Sequence, residues 1–198
     1  MKTIIYFVRH APYQNPDRLV PGRIPGYRLD EAGIKKAKRV GEYLQKNSKA
    51  KYIYTSPLER AYETADIVAT FLPKAKIAHA YELTEIDATQ WQAYKLENLF
   101  KNHYYEEYLE NPSSTQITEN LDSLAKRVED FTLSLCNKHQ GEEVICVSHK
   151  DPITVLRLKL EGKPLNLLNN YRVDMASISK FTFADNCRFT DFEYKTFE

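Results

Sequence analysis

The chain has 198 residues, 28 Lys+Arg against 27 Asp+Glu, 42% hydrophobic and 28% charged residues, and only six glycines. The balanced charge supplies no global field that would draw nucleic acid or a membrane surface, and the length suits one domain with a single core. No glycine pair makes a G-x-G-x-x-G turn, a G-x-x-x-x-G-K-[ST] loop or a G-x-S-x-G elbow, which argues against a Rossmann dehydrogenase, a Walker-type NTPase and an α/β-hydrolase.

In chain order, Thr3 to Val8 is apolar on both alternating sets, as in a strand inside a parallel sheet covered by helices. Arg9 to Leu29, with four prolines and two glycines, reads as a long structured loop, a length usually reserved for function. Asp30 is a good N-cap for a helix carrying Ala37, Val40, Gly41 and Leu44 on one face. Tyr52 to Thr55 reads as a strand, and Pro57 opens a helix with Ala61, Thr64, Ala65, Val68 and Leu72 on one side. Ile77 to Ile86 is extended or mixed, the aromatic-rich stretch Trp91 to Glu110 is predicted to be helical, and Asn111 to Thr118 is a polar connector. A further helix carries Leu121, Leu124, Ala125, Val128, Phe131 and Leu135, and is followed by the strand Glu143 to Ser148 and a helix from about Asp151 to Leu160. Ile178 to Phe183 and Arg188 to Tyr194 form a hairpin around Asp185-Asn186. Alternating strands and helices define an α/β class with a mainly parallel sheet. Cys136, Cys146 and Cys187 lack C-x-x-C spacing and a C-x5-R loop, and read as reduced, buried thiols of a cytoplasmic protein. No apolar stretch reaches the roughly 18 residues of a membrane span, so no membrane partner is expected.

Chemistry in such sheets gathers at the carboxyl edge of the strands. Arg9-His10 follow the first strand, Ser56 to Arg60 the second, and Ser148-His149 the strand Glu143 to Ser148. Two arginines and two histidines converging there make a cationic pocket, to which helix N-termini add oriented N–H groups. Taken singly, each residue has an ordinary structural role; Arg60 could pair with Glu63 or Asp66. Arg18, Arg23 and Arg28 add positive charge to the long loop, where Arg23 is a candidate substrate contact. The run Lys35, Lys36, Lys38, Arg39 is a solvated helix face with no aromatic platform for nucleic acid. His79, His103 and His139 lack metal-ligand spacing, so no metal and no cofactor are expected.

Together, Val8-Arg9-His10, Leu29 to Gly33 (LDEAG), Thr55 to Ala61 (TSPLERA) with Thr64-Ala65, Leu83-Thr84-Glu85 and Val147-Ser148-His149 resemble the histidine phosphatase (phosphoglycerate mutase-like) superfamily, in order from Ile4 to about Leu160. The resemblance implies a three-layer α/β/α sandwich around a central, mostly parallel sheet, formed by residues 1–198 as one domain with a helical insertion at about 88–120. It implies that His10 is a nucleophile forming a phosphohistidine, that Arg9, Arg60 and His149 hold the phosphoryl oxygens, and that Glu85 is the proton donor. Glu82 and Asp151 are rivals for that last role, although Asp151 also suits an N-cap. Asn15 corresponds to a phosphate-touching asparagine, and Glu119 could contact substrate or cap the helix near Leu121. Ala11, Thr89, Ala93 and Lys150 stand where relatives often have glycine; alanine is tolerated there wherever φ is negative, and Lys150 adds charge near the phosphate. The expected partner is a small-molecule phosphate ester, hydrolysed without a metal; a mutase or a non-catalytic phospho-ligand binder are the alternatives. The short region between Glu85 and Leu121 favours a phosphatase, and the sequence assigns no oligomeric state.

Overall fold

A computed structural model describes residues 1–197. Six strands, β1 (Thr3–Arg9), β2 (Tyr52–Thr55), β3 (Lys76–His79), β4 (Glu143–Ser148), β5 (Ile178–Ala184) and β6 (Arg188–Lys195), form one sheet in the order β3-β2-β4-β1-β5-β6. The first four are parallel; β5 pairs antiparallel with β1, and β6 antiparallel with β5. The helices are α1 (Glu31–Asn47), α2 (Glu59–Thr70), α3 (His103–Glu110), α4 (Leu121–Lys138) and α5 (Lys150–Leu160).

The alternation within β1 builds both sides of the sheet. Tyr6 and Val8 join Ala37, Val40, Leu44, Ala61 and Val68 of α1 and α2. Ile5 and Phe7 point the other way, into a larger core with Leu124 and Val128 of α4, Leu156 of α5 and Phe181 of β5. The result is the expected three-layer α/β/α arrangement. Among the described residues, no helix is long and apolar enough to cross a membrane.

Helix α1 is seated against the loop that follows β1. Asp30 caps it by accepting from the Gly33 N–H at 2.6 Å, while the Asp30 N–H donates to the Pro12 carbonyl at 3.3 Å. A Cβ on Gly33 would lie 1.9 Å from that carbonyl oxygen, so only glycine permits the approach.

Three sequence expectations need correction. The stretch Trp91 to Glu110 is not one helix: it holds turns, a 3-10 segment Leu96–Lys101 and the short α3. The N-cap of α5 is His149 rather than Asp151, because β4 runs straight into the helix and places Asp151 in its first turn. Cys136 and Cys187 are not free thiols but form a disulfide with Cα atoms 5.8 Å apart, tying α4 to the β5–β6 turn, while Cys146 remains a buried thiol. The bridge removes the thiol argument for a cytoplasmic location. In denaturant without reductant the protein should titrate one thiol rather than three, and reduction should cost about 2–4 kcal/mol in urea unfolding. Three reactive thiols before reduction would refute the bridge.

Candidate active site

The parallel pairing of β1 with β4 sets Arg9 opposite Ser148. The ladder continues one step beyond the strands, with the His10 N–H donating to the Ser148 carbonyl at 2.9 Å. The imidazoles of His10 and His149 consequently lie side by side with ring centroids 5.1 Å apart, both buried. From the next strand, Ser56 reaches the same edge: its N–H donates to the Val147 carbonyl, and its Oγ lies 2.8 Å from His149 Nε2. Arg60, on the first turn of α2, is 1% exposed and lies over the Tyr13 ring at 5.6 Å.

Hydrogen bonds sort the reactive atoms. His10 Nδ1 donates to the Ala11 carbonyl at 2.9 Å, which leaves Nε2 with its lone pair. The Ala11 N–H is in turn fixed by Thr64 Oγ1 at 3.0 Å. Arg9 Nη1 donates to the Val173 carbonyl at 2.7 Å, and Arg60 Nη2 to the Gly22 carbonyl at 2.9 Å. Among the described residues, Arg9 Nε, Arg60 Nε and Nη1, and His149 Nδ1 are buried and have no protein partner. Buried polar atoms are nearly always bonded, so four unsatisfied groups gathered at one sheet edge suit an anion.

Burial, reinforced by the Arg60 and Arg9 charges, pushes the His10 imidazole well below its ordinary value and keeps it neutral. His149 is lowered by burial, then by Arg60. Burial also lowers both guanidinium groups, with Glu85 opposing the shift. Glu85 moves the other way, up to about 7, because burial and then the Asp151 charge outweigh Arg60 and Arg9. A carboxyl poised there can give and take a proton at neutral pH.

A cleft of about 230 Å³ opens onto this edge, lined by Arg9, His10, Tyr13, Arg60 and Glu85 at its inner end. Lys150 and Asp151 also line it; Lys150 Nζ donates to Asn169 Oδ1 at 3.0 Å, and Asp151 Oδ2 accepts from the buried Tyr108 hydroxyl at 3.1 Å. Not every residue singled out from the sequence reaches the cleft. Both ends of the Asn15 amide are taken by Leu19, closing the loop on itself. Arg23 pairs with Glu119 at 2.7 Å and donates through Nε to the Glu85 carbonyl at 2.8 Å, holding the backbone of Glu85 rather than the cleft. Glu119 neither caps α4, where Asn120 does, nor lines the cleft; it binds Arg23 and Arg127 together. Glu82 is exposed, and its carbonyl accepts from Arg127. Tyr13, packed edge-on against His10 at 5.3 Å, and Tyr108, the partner of Asp151, are the site residues that the sequence reading missed. Tyr13 lies only three residues after His10; Tyr108 carries no local signal, because its partner is 43 residues away.

A family model for the histidine phosphatase superfamily (branch 1) matches residues 5–192. The chain belongs to that superfamily. A phosphoglycerate mutase-like protein of Arabidopsis thaliana is 30% identical over 151 residues, which are 73% of this chain and 65% of that protein. Phosphoserine phosphatase 1 of Hydrogenobacter thermophilus is 28% identical over 183 residues, 88% of this chain and 84% of the relative. The fold is shared with a mutant phosphoserine phosphatase from Entamoeba histolytica solved with phosphoserine, at a TM-score of 0.82 and 24% identity over 96% of both chains.

One departure from the superfamily pattern is strained. Ala93, at a position where the resemblance implies glycine, adopts φ +63°, so the expectation of a negative φ does not hold there. It is kept in place by cross-loop pairing: the Ala93 N–H donates to the Val20 carbonyl and the Val20 N–H to the Tyr94 carbonyl, both at 2.8 Å. Replacing Ala93 by glycine should therefore stabilise the protein by about 1 kcal/mol, read as a Tm increase of about 2–4 °C. An unchanged or lower Tm would show that the turn is not strained.

Proposed function

We propose that the chain is a metal-independent phosphatase of the histidine acid type, hydrolysing small phosphate monoesters through a phosphohistidine on His10. The observation that carries this reading is the neutral His10, with Nε2 free, set among buried guanidinium and imidazole donors that have no protein partner. Arg9, Arg60 and His149 would bind the phosphoryl oxygens; guanidinium groups suit the task because their planar forks match phosphate geometry and stay charged. With the Ser56 hydroxyl donating to His149 Nε2, the proton on Nδ1 is available to the phosphoryl group.

In the first step the His10 Nε2 lone pair attacks phosphorus as the ester P–O bond breaks. The departing alkoxide takes the proton of the Glu85 carboxyl. In the second, the Glu85 carboxylate takes a proton from water, whose oxygen attacks phosphorus while the P–N bond breaks. Inorganic phosphate leaves, and Glu85 is protonated again. Splitting the displacement in this way replaces one difficult step with two easier ones. Arg23 serves as a positioning residue for Glu85 through its backbone carbonyl.

His10→Ala should abolish turnover together with an acid-labile phosphoenzyme, detected with a radiolabelled ester, and turnover by the native protein should survive a chelator. A phosphoenzyme persisting in His10→Ala would overturn the assignment, and loss of activity with chelator would overturn the metal-free mechanism. Glu85→Gln should lower kcat/KM for alkyl phosphates by 10²- to 10⁴-fold and affect nitrophenyl phosphate far less, since its leaving group needs no proton. For alkyl esters the acid form of Glu85 is the active one. Its kcat/KM should therefore fall as pH rises through about 7, a limb that Glu85→Gln removes. If that limb survives the substitution, the proton comes from another group, with Asp151 first in line.

A further inference from the structure

Outside the end that holds Arg9, His10 and Arg60, the cleft is lined mainly by apolar side chains, with Lys150 and Asp151 among them. Val20 and Pro21 of the long loop line it together with Trp91, Leu96, Leu99 and Tyr105 from the segment between β3 and α4. Trp91 is buried and packs on Tyr108 with ring centroids 5.1 Å apart. The apolar wall continues to the surface: Phe100 lies edge-on to Tyr105 at 5.5 Å and is 70% exposed, beside the exposed Leu96.

The charged groups on this side favour no second anion. Among the described residues lining the cleft, Lys150 is the only cation beyond Arg9 and Arg60. Its ammonium is bound to Asn169 Oδ1 and lies 3.7 Å from Asp151 Oδ1. Arg23 and Arg127, the nearby arginines, are both taken up by Glu119. A carboxylate on the departing alcohol would meet Asp151, with Lys150 already held by Asn169 and Asp151. An ammonium there would displace Lys150 from Asp151 and lie against the same apolar walls, losing water without a full set of partners.

We infer that the site takes phosphate monoesters of uncharged, apolar alcohols, short alkyl or aryl, with Trp91, Leu96, Leu99 and Tyr105 as the wall that selects them. This rests on the hydrolase reading and adds to it the chemical class of the leaving group. The cleft is smaller than the usual 300 Å³ lower bound for ligand pockets, which suits a compact alcohol.

The test compares ethyl, butyl and hexyl phosphate, whose leaving groups are equally poor, with phosphoserine, 3-phosphoglycerate and phosphoethanolamine. In the native protein kcat/KM should rise about two- to fourfold per added methylene until the cleft is filled, and all three charged esters should lie at least tenfold below butyl phosphate. A flat chain-length series, or a charged ester as the best substrate, would overturn the inference. Leu99→Asp should compress the gradient, and a gradient untouched by Leu99→Asp and Leu96→Asp alike would remove the wall from the explanation. Calorimetry of His10→Ala with the same esters should give the same order of affinity without turnover. Ordered binding with no turnover by the native protein would strike the hydrolase reading alone; turnover without that order would strike the leaving-group inference alone.

Discussion

A slip of one residue between β1 and β4 would carry Arg9 and His10 away from His149 and turn every side chain of β1 to the opposite face. The register is secured by what lies on both faces at once. Ile5 and Phe7 fit one core and Tyr6 and Val8 the other, so no shifted pairing leaves either core intact. The same ladder carries the His10 N–H onto the Ser148 carbonyl and the Ser56 N–H onto the Val147 carbonyl, extending strand order into the loops that bear the chemistry. Placing a strained cluster of like charges needs such a frame. Arg9 and Arg60 would otherwise move apart and into water.

Their burial determines the electrostatics of the site. Two guanidinium groups can be held beside two imidazoles only if the imidazoles stay neutral, and burial and the guanidinium charges both push them that way. Neutrality leaves His10 with a nucleophilic lone pair rather than a proton. Glu85 is exposed to the opposite balance: burial and Asp151 raise it while the arginines lower it, and the first pair prevails. One low-dielectric edge thus holds a neutral imidazole beside a carboxyl raised toward neutrality.

The strands and helices that bracket this edge were legible because they obey local rules. Glu143–Ser148 and the hairpin strands match their apolar runs, and α1 begins after the Asp30 cap that its sequence announces. His10, His149, Arg9, Arg60 and Glu85, which the resemblance names together, lie at one edge of the sheet. What escaped was long-range. The aromatic-rich stretch Trp91 to Glu110 is predicted to be helical, but backbone pairing of Ala93 and Tyr94 with Val20 holds its start outside a helix. Cys136 and Cys187 are 51 residues apart, and nothing local marks them as partners. Asp151 looks like a cap, yet with no loop between β4 and α5 the cap position falls on His149. Arg23 and Glu119, 96 residues apart, pair with each other, and so neither is free to meet a ligand.

The strained turn at Ala93 ties these threads to specificity. Glycine there would reach φ +63° without cost, whereas alanine holds it only because Val20 bonds the segment on both sides. Lys95 pairs with Leu19, and the Leu96 N–H donates to the Arg18 carbonyl at 2.8 Å, so the long loop and the segment over the cleft form one continuous ribbon. The apolar side chains lining the cleft, Val20 with Pro21 and Trp91 with Leu96, ride on that ribbon. Their spacing is therefore set by backbone hydrogen bonds rather than by side-chain packing alone. The same long loop also reaches the cationic end of the cleft, since the Gly22 carbonyl accepts from Arg60 Nη2 and Arg23 donates to the Glu85 carbonyl, so both ends of the site share one support.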